Sequence, residues 1–452
     1  MSSTIYTDTR KHFPRIVPAK DVINVYRENT QAVYMVTRML KRNGETVGME
    51  LRTPSGIVEV PMHKFLHYRG KLTNADVDEN GVVSGTKGNL PATEIGQTHS
   101  GGLSRKQVSR YILMHEDTVV FALNRVENTI AVHNKPFLPF ALRNLTDITT
   151  LAAFEWLTER IQNTQREYMN MVAIARKVGR DRDKVFADSC GLSFTDNFWV
   201  KTSDTDVSWR ELTALRDTNS GLNALALTGK IDNNVDYLKG RTSLFTAKGN
   251  FSKAIEGGYI IKLLKDASLE YPAYLMGKQL GIPVAECSLT QNTVMIKLFT
   301  DNSRSLVHAS ELKRYFGITG EVYDEIVKLN RDDLVGQLQQ MYIFNYLIGN
   351  PDLHDENTGL LYDPRTFEFI SVAPCFDHNV AFHEDFDGMS RATLEGDGYI
   401  QLNDLAEMLI PLHPGIVARL KVMDYSDIGK YLTKWQLDEV RERAQRVISW
   451  GK

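Results

Sequence analysis

Residues 343–363 read IFNYLIGNPDLHDENTGLLYD, an apolar run that ends in a crowd of charged and amide side chains. Leu334, Leu338, Met341, Phe344 and Ile348 fall on one face at helical spacing, so a buried helix is expected to lead into this segment. Asn350, Pro351, Asp352, His354, Asp355, Glu356 and Asn357 follow before an apolar pair returns. Taken alone, the segment fits a capped surface turn, a metal site or a catalytic loop, because Asn and Asp readily bond to nearby backbone. Its surroundings add weight to the last two. A strand candidate, FEFISV (367–372), comes next, and Asp377 sits in APCFDHN where that strand ends. A hairpin-like unit of this kind brings Asp352, Asn357 and Asp377 to one mouth. Three oxygen donors suit Mg²⁺, which takes few protein ligands and keeps waters and substrate phosphates.

The spacing Asp-x-x-x-x-Asn equals that of a protein-kinase catalytic loop. The other parts of such a site precede it in order. TAKGNFSK, residues 246–253, is a small-residue loop whose amides could cradle phosphates, with Thr246, Lys248, Gly249, Asn250 and Lys253 as the contacts expected. Gly257-Gly258 leads into the strand YIIKLL, where Lys262 would aim its ammonium at phosphates. A helix beginning near Glu270 would supply that lysine's carboxylate partner. VMIKLFTD, Val294–Asp301, is the expected hinge, with its backbone open to adenine, and Lys297, Phe299 and His354 are counted among the nucleotide contacts. An amide cannot take up a proton, so Asp352 has the base role and Asn357 that of metal ligand.

The rest of the chain frames this site. Its 452 residues are 42% hydrophobic and 24% charged, enough for several cores, and the net charge of -3 gives no global field for nucleic acid, so none is expected to bind directly. Three well-separated cysteines and no CxxC pair fit a reducing cytoplasm. No signal-like segment or long apolar run points to a membrane. Asn43-Gly44, Pro54-Ser55-Gly56 and Asn80-Gly81 punctuate short β-branched runs, so residues 20–95 read as a small β-rich domain. Residues 96–184 read as a linker, Glu94–Gln107 at its start, and a connector of mixed strand and helix. Residues 185–305 alternate strands and loops, and 306–452 are mostly helical.

The region 185–452 resembles the HipA-type bacterial serine/threonine kinases of toxin–antitoxin modules. The resemblance rests on GLSFTDNFWVK (191–201), TAKGNFSK (246–253), KLFTD (297–301), NYLIGNPDLHDEN (345–357) and APCFDHN (373–379). The family's Asn-x-Asp-x-His-x-x-Asn segment is matched by Asn350, Asp352, His354 and Asn357. What the resemblance implies is an α+β, two-lobed protein-kinase-like fold that uses ATP and Mg²⁺. Asp352 would be the catalytic base, Asn357 and Asp377 metal ligands, and Lys262 a phosphate contact. It also implies transfer to a protein hydroxyl, autophosphorylation at a loop serine (Ser252 or Ser243), and a small DNA-binding antitoxin-like partner.

Other readings stand beside this one. Lys262 fits an ordinary strand lysine lying on apolar surface. His354 fits a loop-shaping residue, His378 and His383 local polarity, and Asp355 and Glu356 a solvated turn. A metal hydrolase built on His354, Asp377, His378 and His383 has no paired motif behind it. A nucleotide-sensing pseudokinase, a kinase-fold enzyme with a small-molecule acceptor, and a binding protein using its β domain all share the same machinery.

Overall fold

A computed structural model describes the backbone of five strands between residues 21 and 74, and residues 110–452 apart from 162–165, 180, 203–204, 206, 216–218, 384–385, 387–390 and 393–399, with strand Arg391–Ala392 described by its backbone. The Glu94–Gln107 segment and the Asn80-Gly81 turn lie outside the described residues. The chain divides into two compact units, Met1–Ser104 and Arg105–Lys452. In the first, Asp21–Arg27, Thr30–Arg42, Glu45–Thr53, Gly56–Pro61 and Leu72–Asn74 form one antiparallel sheet. The first four strands follow one another as a meander, as their short connections require, and the fifth returns beside the first.

The second unit is α+β, with small antiparallel sheets followed by helices. One sheet runs Thr129–Val132, Thr118–Asn124, Arg110–His115, Phe198–Thr202. Its last strand therefore pairs with a segment 87 residues upstream, across residue 185, rather than with the strands that follow it. The alternation of FWV explains the placement: Phe198 and Val200 enter the main core, while Trp199 packs with Cys190, Leu192, Trp209 and Leu212 on the other face.

A second sheet runs Lys253–Glu256, Tyr259–Leu263, Thr293–Lys297, Cys287–Leu289. Its first hairpin turns on Gly257 and Gly258, at φ +59° and +84°, the backbone that a tight twisted hairpin demands. The helix Glu270–Leu280 follows. Ala267, Ala285, Cys287, Val294 and Ile296 close a small core around this sheet.

A third sheet joins Ser305–His308, Gly359–Tyr362 and Phe369–Val372. At Gly359 a Cβ would lie 2.2 Å from the carbonyl oxygen of Val307, so only glycine lets these strands meet there. The helix Asp332–Leu347 opens with Asp332 and Asp333, which favour its positive end, and is buried continuously from Leu338 to Leu347 except at Gln340. Leu402–Leu409, Pro414–Lys421 and Lys434–Trp450 complete the helical part, the last held by a Thr433–Gln436 capping box. Among the described residues no helix is long and apolar enough to cross a membrane.

Candidate active site

Lys262 occupies the Tyr259–Leu263 strand and Glu270 opens the helix after it; each is only 3% exposed. A buried ammonium needs charged partners to stay ionised. Lys262 Nζ donates to Glu270 Oε1 at 2.7 Å, Asp377 Oδ1 at 2.7 Å and Asn379 Oδ1 at 3.1 Å, committing all three of its protons. The other Glu270 oxygen accepts the His378 N–H at 3.0 Å, with the His378 ring Nδ1 3.5 Å away. Burial opposes charge at all three ionisable groups, yet their mutual attraction wins. Lys262 stays above the ordinary lysine range, Glu270 falls to about 2, and Asp377 sits well below the carboxylate range under the pull of Lys262 and then Lys253.

Asp377 reaches this position through two features of its segment. The Ala285 N–H donates to the Cys375 carbonyl at 2.9 Å, and the Cys375 N–H to the Pro283 carbonyl at 2.9 Å, laying residues 373–377 along the chain that enters the second sheet. Asp377 itself has φ +63°, a left-handed backbone that a non-glycine residue adopts at a cost and that re-aims its side chain toward Lys262.

The 350–357 loop is fixed by its own amides. Asn350 is buried; its Nδ2 donates to Asn345 Oδ1 at 2.8 Å, and its Oδ1 accepts the Asp352 N–H at 3.1 Å. Asn357 Nδ2 donates to the Asp352 carbonyl at 2.9 Å and to Asp352 Oδ2 at 3.2 Å. His354 Nδ1 accepts the Glu356 N–H at 3.1 Å, while its Nε2 lies 3.5 Å from Asp352 Oδ1. The Asp352 carboxyl is raised above its ordinary range, chiefly by burial and further by the charge of Asp377, against opposing pulls from His354 and Asn357. Asp352 and Asp377 therefore feel each other's charge.

The 246–253 segment meets both groups. The Thr246 hydroxyl is turned inward, onto the carbonyls of Leu192 at 2.6 Å and Ser243 at 2.9 Å, so it braces the loop. Asn250 accepts the Glu167 N–H through its carbonyl at 3.2 Å. Gly249 has φ +97°, and a Cβ there would lie 2.7 Å from Lys253 Nζ and 3.9 Å from Asp377 Oδ2, which places the loop against the acidic group. Lys253 is buried, donates to the Lys248 carbonyl, and is lowered to about 7, first by burial. Lys248 is ion-paired with Glu356. Arg166, also buried, holds the loop from below by donating to the carbonyls of Ala247, at 3.0 Å, and Leu244.

Some expected residues are placed elsewhere. Lys262 faces Val294 across the ladder, so Lys297, three residues on, projects from the opposite side of the sheet and pairs with Glu286 at 3.1 Å. Phe299, in the expected hinge, packs obliquely on Phe376, ring centres 5.4 Å apart, next in sequence to Asp377. Ser243 and Ser252 are fully buried, so modification of either requires the segment to open. Glu356 and Asp355 are not a free solvated turn: Asp355 pairs with Lys313 at 2.8 Å and Glu356 with Lys248. His378 is buried against Glu270 rather than a mark of local polarity.

His378, Asn379, Glu356 and Arg166 were missed as contributors. The HN of APCFDHN is the one sequence signal for the first two. Among the described residues no three or more His, Cys, Asp or Glu side chains gather as a metal centre, so the four-residue hydrolase alternative has no such cluster behind it. An Mg²⁺ ion suits a different donor set: the ionised Asp377 and the amide oxygen of Asn357, whose nitrogen is committed to Asp352.

Residues 239–415 match the family described as HipA-like C-terminal domain. The Helicobacter pylori proinflammatory kinase CtkA is 15% identical, with 44% of this chain and 89% of that one covered, at a TM-score of 0.32. HipA of Shewanella oneidensis MR-1, solved with HipB and operator DNA, is 12% identical over 75% of this chain and 96% of that one, at a TM-score of 0.44. No curated protein matches the chain.

Proposed function

We propose that the protein, whose residues 239–415 match the HipA-like C-terminal domain family, is an ATP- and Mg²⁺-dependent serine/threonine protein kinase of two lobes. The observation that carries this reading is Lys262 bonded at 2.7 Å to both Glu270 and Asp377. A lysine fixed by a helix carboxylate and set against a metal-type aspartate is the arrangement that phosphoryl transfer uses to orient phosphates.

Each residue then has a task. Lys262, held by Glu270, positions phosphates by exchanging its Asp377 or Asn379 bond for a phosphate oxygen. Asp377 and Asn357 would hold Mg²⁺, which when bound would neutralise charge on the phosphates. Asp352, with its raised carboxyl, accepts the proton of the attacking hydroxyl, while the Asn357 amide and His354 keep it in place. Phe299 and Phe376 offer an apolar wall for the base. The family resemblance extends the proposal to a small DNA-binding antitoxin-like companion.

Incubation with γ-labelled ATP, Mg²⁺ and protein mixtures tests the reading. Asp352→Ala should lower phosphate incorporation by about 100-fold or more while ATP still binds. Undiminished incorporation in that variant sinks the assignment of the base.

A further inference from the structure

Lys248 of the 246–250 segment and Glu356 of the 350–357 loop join two halves of the site through an ion pair that the proposed chemistry does not use. Their side chains are 39% and 35% exposed, whereas Arg166, Thr246 and Lys253, which also tie the segment, are buried, and the Glu167 N–H to Asn250 carbonyl bond closes its exposed end. The segment thus has fixed roots and an accessible clasp. Gly249, at φ +97°, directly follows Lys248 and supplies a pivot. The neighbouring acids are divided, since Asp355 is engaged by Lys313. His308 Nδ1 lies 4.0 Å from Glu356, and the Ser310 hydroxyl bonds to it, so Lys248 is the ammonium that faces this carboxylate.

We propose that Glu356 stands in for a nucleotide phosphate: it holds Lys248 while no nucleotide is bound and releases it to the outer phosphates of a triphosphate. The inference rests on the nucleotide-binding reading above. An ammonium that leaves a single carboxylate for a polyphosphate gains charge interaction, but the carboxylate competes for it throughout. Glu356 therefore weakens binding of ligands that reach Lys248 and leaves a monophosphate, which ends short of it, unaffected. The pair then acts as a specificity element that reads the length of the phosphate chain.

The test is calorimetric titration of the full chain with Mg²⁺-ATP and with AMP. Glu356→Gln keeps the side chain's shape and should bind ATP about two- to fivefold tighter, the range of an accessible ion pair, with AMP unchanged. In a Lys248→Ala background the same substitution should have no effect. ATP affinity unchanged or weakened in Glu356→Gln, an equal gain for AMP, or a gain that persists without Lys248 each overturns the clasp while leaving the nucleotide reading intact. Failure of the unsubstituted chain to bind ATP overturns both.

Discussion

Replacing Lys262 by Met is the sharpest perturbation of this site, because it removes the one group on which three side chains converge. Met matches the length of the lysine stem and fills the same slot in the sheet. What disappears is an ammonium 2.7 Å from two carboxylate oxygens and 3.1 Å from Asn379. Glu270 then keeps the His378 N–H and the favourable start of its helix but has lost its ammonium, and the part-exposed Asp377 keeps only the weaker pull of Lys253. Losing one member of a buried ion pair costs about 3–5 kcal/mol, and this geometry belongs in that range at neutral pH.

The pH dependence is a second signature of the same substitution. In the unsubstituted chain Glu270 lies at about 2 and Asp377 is also depressed, so both contribute stability above the ordinary carboxylate range and lose it as pH falls through the folded values. Without Lys262, burial and the charge of Asp377 raise Glu270 above its ordinary range, while Lys253 still lowers Asp377. Stability of the variant should therefore increase on going from about pH 8 to about pH 5, while these groups leave the unsubstituted chain nearly flat. Urea titration followed by tryptophan fluorescence is the assay: Trp156, Trp199, Trp209, Trp435 and Trp450 all lie in the Arg105–Lys452 unit. A loss below about 1 kcal/mol, or no recovery in acid, refutes the reasoning.

Two further outcomes follow from the loops. Gly249→Ala puts a Cβ 2.7 Å from Lys253 Nζ at φ +97°; the loop must shift, and titration with Mg²⁺-ATP should show binding weakened about tenfold. The acid limb of kcat/KM should lie above the ordinary Asp range, because burial and Asp377 raise Asp352; His354→Gln removes an opposing pull and should move the limb to higher pH, which a pH–rate profile reads directly.

Much of the site was legible in the sequence because its contacts are local or follow from strand and helix periodicity. Lys262 and Glu270 are eight residues apart on a strand and the helix after it, and Asp352 and Asn357 close one short loop. Contacts set by long-range packing were not legible. Lys248 meets Glu356 across 108 residues, and Arg166 reaches Ala247 across 81, with nothing in either neighbourhood to name the other. Lys297 misled because the hinge motif carries no register: only the pairing of Lys262 with Val294 tells which face it takes. The Phe198–Thr202 and Arg110–His115 strands were both legible, but their pairing was not, since apolar alternation specifies a face and not a neighbour.

The roots of the 246–250 segment also bear on where this protein can be cut. Its supports, Arg166 and the Leu192 carbonyl, both precede residue 239, and Arg443, whose guanidinium packs against Gly349, follows residue 415. The stretch that matches the family is thus framed by residues it does not contain. A fragment trimmed to 239–415 would keep every proposed catalytic group and lose the struts that hold them in register, so evolutionary and mechanical boundaries do not coincide in this chain.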